Sequence, residues 1–208
     1  MASWTCFLVE KNMPGFGALR NELKMGQRAA AATELEFQDV FVPDDHVIGG
    51  LRNGWALNRA TLNFSRMPVA AIALGIARGA AEAAIDFVCR YRMGGKPLID
   101  FQEVQLSVAQ MMIETSTMRS MLWQHASQRV PMQASASICK VACSDGAVRV
   151  CEAAMELLSN HGVLHDHLVE KHFRDVRLTQ IYEGTNQINR LAVIEDFQEM
   201  LLTKIERG

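Results

Sequence analysis

The chain has 208 residues, 49% of them hydrophobic, enough for a real core in one domain or in one domain plus a piece of another. Lys and Arg number 21 against 23 Asp and Glu, so no charge excess points to nucleic acid or an anionic membrane as partner. Five irregularly spaced cysteines argue against a disulfide framework, no apolar run reaches spanning length without a charge or glycine inside it, and "MASWTCFLVEK" lacks the features of a secretory signal. A soluble, intracellular chain is expected.

Taken in order, "WTCFLVE" reads as a β-rich run followed by the turn "KNMPGFG". "TELEFQDVFVP" alternates Leu35 and Phe37 inward against Glu34, Glu36 and Gln38 outward, and Pro43 ends that strand. From Gly54 the texture changes to alanine, methionine, leucine and isoleucine, which is helical sequence. The expected division is a partial β-domain over 1–52 and a helix bundle over 53–208. The first helix runs from about Gly54 to Arg92 with Pro68 inside it as a kink, and "MPVAAIALGIARGAAEAAI" packs small residues at a spacing that lets another helix come close. "GGKP" breaks it.

The second helix begins near Asp100, with Phe101, Val104, Val108, Met111, Thr115, Met118 and Leu122 spaced as a bundle seam. After Pro131 a third runs from about Met132 to Ser159, and a fourth begins after Gly184 and ends near Leu202. The irregular stretch from His161 to Glu183 is too long for a simple connector and reads as a functional loop. The fold class is mainly α: an up-and-down four-helix bundle preceded by a short β-rich segment, with sites built between helices.

Cys139 and Cys143 fall on one helix face, but no further ligands stand at metal spacing, so they read as small buried residues and no metal is expected. His161, His165, His167 and His172 read as polar loop residues that would also suit the lip of a substrate entrance. The stretch "QIYEGTNQINR" leaves two readings open. Glu183 is either a solvated acid in a turn where Gly184 supplies a special backbone angle and Thr185 or Asn186 caps the next helix, or a base. A carboxylate base needs an apolar setting, which Ile181 and Tyr182 would provide, and the amides and dipole at the helix start beyond Gly184 would stabilise a negative cofactor or intermediate.

The stretches "FLVEKNMPGF", "KMGQRAAAATELEFQDVFVP", "RMPVAAIALGIARGA", "GGKPLIDFQEVQ" and "FRDVRLTQIYEGTNQINR" resemble, in order and spacing, the C-terminal part of the acyl-CoA dehydrogenases. The resemblance implies FAD as cofactor and oxidation of an acyl-CoA thioester to its trans-2-enoyl form. It implies Glu183 as the catalytic base; the alternative base position of some branches, directly before Arg66, is Ser65 here. It places Arg66 near the CoA or acyl end of the pocket, where an ordinary bundle ion pair is the competing role, with Tyr182 and Gly184 beside the substrate. Gln102, Thr185 and Gln187 match FAD contacts, though Gln102 also reads as a surface amide and Thr185 as a cap. Arg174 and Asp175 match a structural motif.

The departures matter too. An inter-subunit Arg and Phe of the family fall on Tyr91 and Gly94, with Arg90 and Arg92 flanking as replacement cations toward FAD. A Gln and a Gly-Gly pair read Glu156 and Ser159-Asn160, which should weaken FAD binding along that path. By this resemblance the chain starts inside the β-domain. It should therefore expose apolar faces and fold stably only with a partner: chains carrying the remaining domains, in a homo- or hetero-oligomer. An electron-transfer flavoprotein is the implied further partner, and the cytoplasm, or the mitochondrial matrix in a eukaryote, the implied location. The alternative from another class is a non-catalytic assembly partner that keeps the bundle and has drifted at its cofactor contacts; a flavin oxidase or hydroxylase of the same fold fits the retained Glu183 less well.

Overall fold

The computed structural model of the chain describes residues 4–127 and 133–207. Contacts divide it into two units, Met1–Leu62 and Asn63–Gly208. Among the described residues the first holds four strands, β1 (Cys6–Phe7), β2 (Phe16–Asn21), β3 (Thr33–Phe37) and β4 (Val47–Ile48). They form two antiparallel pairs, β1 with β4 and β2 with β3, the latter in the register Phe16↔Phe37 and Ala18↔Leu35. The β-rich run expected over residues 4–10 is thus a strand only at Cys6–Phe7. The turn after it is real: Gly15 has φ +82°, and a Cβ there would lie 1.9 Å from the Gln38 carbonyl oxygen, so only glycine fits.

The expected alternation of β3 is not what the unit shows. Leu35 and Phe37 are 53% and 57% exposed, because a two-stranded ribbon has no second layer within its own unit to cover either face. Phe16 and Phe37 instead pack across the pair with their rings tilted by 48°, centroids 5.1 Å apart. Strand β2 went unforeseen, since its six residues "FGALRN" carry two small side chains and no clear alternation.

The long helix α1 (Gly54–Arg90) starts in this unit, with the Gly54 N–H donating to the Trp4 carbonyl at 2.8 Å. It continues through Pro68 and stops two residues earlier than expected, because Arg92–Met93 (β5) and Lys96–Pro97 (β6) pair as a hairpin closed by Gly94 and Gly95 at φ +59° and +83°. Beyond the hairpin come α2 (Gln102–Ala126), α3 (Gln133–Leu158), α4 (Val169–Val176) and α5 (Asn186–Arg207). The expected start of the third helix at Met132 lies outside the described residues. Four long helices behind a short β-rich segment is the mainly helical fold that the sequence predicts.

Helix α3 is central, packing against α2, α4 and α5. Its buried residues include Ala136, Cys139, Cys143, Ala147, Cys151 and Ala154, small side chains at three- and four-residue steps that bring neighbouring helices close. Cys139 and Cys143 are fully buried core residues, as their spacing implied. Helix α1 adds Ala73, Ala77, Ala80, Ala84 and Val88 to the same core, and the α2 seam adds Val108, Met111 and Met118. Among the described residues α1 is also long and apolar enough to cross a membrane, but its alanine face is this core face.

Helix α4 corrects the expectation of an unbroken irregular loop from His161 to Glu183. Val169 and Val176 are buried at its two ends, two turns apart, and the i,i+4 ion pairs Glu170–Arg174 and Lys171–Asp175 line its polar side. His172 belongs to this helix, and burial first, then the Lys171 charge, pushes its pKa down.

Candidate active site

Glu183 and Gly184 have consecutive left-handed backbones, φ +56° and +82°, directly before α5. For a glutamate that conformation costs on the order of 1 kcal/mol, so the surroundings must hold it. They do so from three elements. From α1, Ser65 Oγ donates to Glu183 Oε2. From α3, Lys140 Nζ donates to the Gly184 carbonyl at 2.9 Å and to Asn186 Oδ1 at 2.7 Å. From α5, Asn189 Nδ2 donates to the same Gly184 carbonyl at 2.7 Å and to the Thr185 carbonyl at 3.1 Å.

Thr185 caps α5, its Oγ1 accepting the Ile188 N–H at 3.3 Å. Arg66 is 5% exposed and donates through Nη1 to Ser137 Oγ at 2.9 Å and Asn63 Oδ1 at 3.4 Å. Its Nη2 lies 3.9 Å from where a Cβ on Gly184 would stand, so a fixed positive charge flanks the turn. The setting of Glu183 in this chain is polar rather than apolar. Ile181 is 50% exposed, Tyr182 half-buried, and the groups that reach the turn are a hydroxyl, an amide and two cations.

Lys140 is fully buried, yet both of its acceptors are neutral oxygens. Burial, with the smaller effect of the Arg66 and Arg190 charges, brings its pKa down to about 8 against the opposing charges of Asp145 and Glu183. Next to it, Asp145 gathers Gln180 Nε2 and Asn186 Nδ2, each at 2.7 Å, and Arg190 Nη2 at 2.6 Å. These residues border a cavity of about 300 Å³ at the start of α5, lined also by Arg177, Thr185 and Gln187.

The structure therefore brings Arg66, Glu183, Gly184 and Thr185 together, and puts Thr185 and Gln187 on one cavity. Gln102, Arg90 and Arg92 lie elsewhere, along the α1–α2 connection. Gln102 is the exposed first residue of α2. Arg90 pairs with Asp86 at 2.5 Å, and Arg92 donates to the Gly95 carbonyl at 2.9 Å. Tyr91 between them stacks on Phe87 at 5.0 Å and meets the His161 ring edge-on at 5.2 Å. His165 pairs with Glu170, and His167 packs on Phe87. Sequence reasoning missed Lys140, Ser137, Asp145 and Asn189 as parts of the site. A signal was present for the first: a lone lysine among the small residues of "ASICKVACSDGA".

The family model described as acyl-CoA dehydrogenase, C-terminal domain, matches residues 52–197. The chain belongs to the acyl-CoA dehydrogenase family. It is 35% identical over 191 residues to the short-chain specific acyl-CoA dehydrogenase of Megasphaera elsdenii, covering 90% of this chain and 50% of that protein. To the cyclohexane-1-carbonyl-CoA dehydrogenase of Syntrophus aciditrophicus it is 34% identical over 200 residues, 94% and 52% of the two lengths. The solved structure of butyryl-CoA dehydrogenase from Megasphaera elsdenii superposes with a TM-score of 0.90 at 34% identity, covering 93% of this chain and 51% of the other. The chain spans about half the length of the acyl-CoA dehydrogenases it matches.

Acyl-CoA dehydrogenases are FAD flavoproteins. The cavity at the start of α5 is polar, carries the Arg177 guanidinium and an Arg190 guanidinium that is paired with the Asp145 carboxylate, and adjoins the capped helix start whose first amides favour phosphate oxygens. The Arg177 guanidinium and the amides at the helix start would suit the anionic part of such a group.

Proposed function

We propose that this chain is the base-carrying half of an FAD-dependent acyl-CoA dehydrogenase, a C-terminal subunit or fragment that works with chains supplying the remaining domains. What supports the reading most is the Glu183 turn: a strained carboxylate held by α1, α3 and α5 at the N-terminus of a helix. Thr185 and Gln187 would hold FAD from the cavity side and Gln102 from the start of α2, with Arg90 and Arg92 directed to a neighbouring subunit's FAD. When bound, FAD supplies the hydride-accepting chemistry.

This chain's own residues handle the proton and part of the substrate contact. Arg66, Tyr182 and Gly184 border the acyl-CoA thioester. Ser65 occupies Glu183 Oε2, so Oε1, which has no hydrogen-bond partner among the described residues, receives the proton from the carbon beside the thioester carbonyl. The buried positive charge of Arg66 and the N-terminal end of the α5 dipole stabilise the negative charge left on the substrate. An electron-transfer flavoprotein is the proposed acceptor partner.

Glu183→Gln tests this. The reconstituted enzyme should lose acyl-CoA oxidation by roughly 10²- to 10⁴-fold with its assembly mass unchanged, the range expected for removing a general base. Full activity in that variant overturns the reading.

A second reading is favoured by one observation. Tyr91, where the family's inter-subunit arginine would stand, is committed to Phe87 and His161 within its own chain. A non-catalytic assembly partner would show this drift, and a purified assembly without flavin absorbance would select it.

A further inference from the structure

We infer that Lys140 is a positioning residue for Glu183, fixing the base through the main-chain carbonyl of Gly184 and through Asn186. The inference rests on the reading of Glu183 as the base. A fully buried lysine is costly to keep, and an unbranched apolar side chain such as methionine would fill the same space. What methionine could not do is satisfy the Gly184 carbonyl and Asn186 Oδ1, which Lys140 reaches at 2.9 and 2.7 Å. That carbonyl belongs to the second of two consecutive left-handed residues. It receives one hydrogen bond from α3, through Lys140, and one from α5, through Asn189, so the turn is clamped between the two helices.

Glu183 is the first residue of that clamped pair, and its side chain is held separately by Ser65 from α1. Releasing the Gly184 carbonyl would let the main chain carry the carboxylate away from its place while Ser65 still held one oxygen. Such a displacement costs turnover more than binding. The groups that face Lys140 are Asp145 from its own helix, Arg66 from α1, Glu183 from the turn and Arg190 from α5, two negative and two positive. The Lys140 ammonium therefore senses the charge of Glu183, and this link can be measured without turnover.

The test uses the full chain in its purified native assembly. Lys140→Met should lower kcat by roughly 10- to 100-fold while KM for acyl-CoA changes less than about twofold, as for a base misplaced rather than removed. An unchanged kcat overturns the inference. In parallel, the chain is labelled with lysine carrying ¹³C at the ε-carbon, and the Lys140 signal is followed against pH. In the wild type it should titrate with a midpoint near 8. In Glu183→Gln the midpoint should move to lower pH, because the carboxylate that favours the cation is gone. A midpoint that stays in place overturns the inference even where Lys140→Met fails to fold. The two failures are distinguishable: an active Glu183→Gln removes the assignment of the base, whereas an inactive Glu183→Gln beside a fully active Lys140→Met removes only the positioning role.

Discussion

At the scale of single residues, Glu183 and Ser159 show opposite uses of one backbone conformation. Both are left-handed without being glycine, at φ +56° and +51°. Glu183 is held there by groups from three helices, one of which, Ser65 from α1, bonds its carboxylate. Ser159 is exposed and lies just past the end of α3, where a left-handed residue is most often glycine. Ser159→Gly should therefore stabilise the chain by about 1 kcal/mol, read as a higher thermal midpoint, since it removes a left-handed strain that nothing at that position uses. A lower midpoint would show that the serine side chain matters to the fold. The motif around Glu183 was legible because acid, glycine and cap are written in consecutive letters. Its clamp was not, because Lys140 and Asn189 act on a carbonyl that every residue possesses, and a sequence gives no sign of which carbonyl turns inward.

Individual elements were legible in proportion to how regularly they bury one face. The α2 seam was readable because Val108, Met111 and Met118 face a continuous core at three- and four-residue steps. Helix α4 was not, since its two buried valines are too few to make a period, and the residues half-buried beside them, Glu170 and Arg174, are a charged pair. That pair makes a pH prediction. The Arg174 hydrogen bond, with a smaller contribution from His165, pulls the Glu170 pKa from the ordinary 4.5 to about 2. A carboxylate depressed in the folded state contributes stability that is complete above the unfolded value and is lost as pH falls through the folded one. Glu170→Gln should thus lower stability by about 1 kcal/mol at neutral pH, the upper end for a partly exposed pair. The difference from wild type should hold steady down to about pH 4.5 and close toward pH 2, measured by thermal melts across that range. A gap that does not narrow in acid would mean that Glu170 acts through packing instead.

For the whole molecule, the change of texture at Gly54 announced the first long helix, α1, whereas β3 misled because its alternation speaks of a covered face that its own two-stranded ribbon does not supply. The same question of what covers an apolar face returns on α5. Ile188, Leu191, Ile194, Phe197, Leu201 and Ile205 follow one another at three- and four-residue steps, and each is between 41% and 75% exposed. Complete burial of such a side chain contributes roughly 2 kcal/mol, so six in one stripe are comparable with the ordering cost of association, on the order of 4–15 kcal/mol. An uninterrupted stripe of this kind on a water-facing helix marks a contact surface rather than scattered surface leucines. The chain in its native preparation should therefore run as an assembly by native mass spectrometry, with a second chain or second copies, and on the proposed function the same sample should show flavin absorbance. Leu191→Glu with Phe197→Glu should shift it toward the single-chain mass, because two carboxylates would have to be buried unpaired at the contact. Glu183→Gln should leave the mass unchanged. A wild-type chain that stays single and soluble at working concentration would overturn the assembly and would leave the proposed base, Glu183, without a neighbouring layer to enclose a substrate.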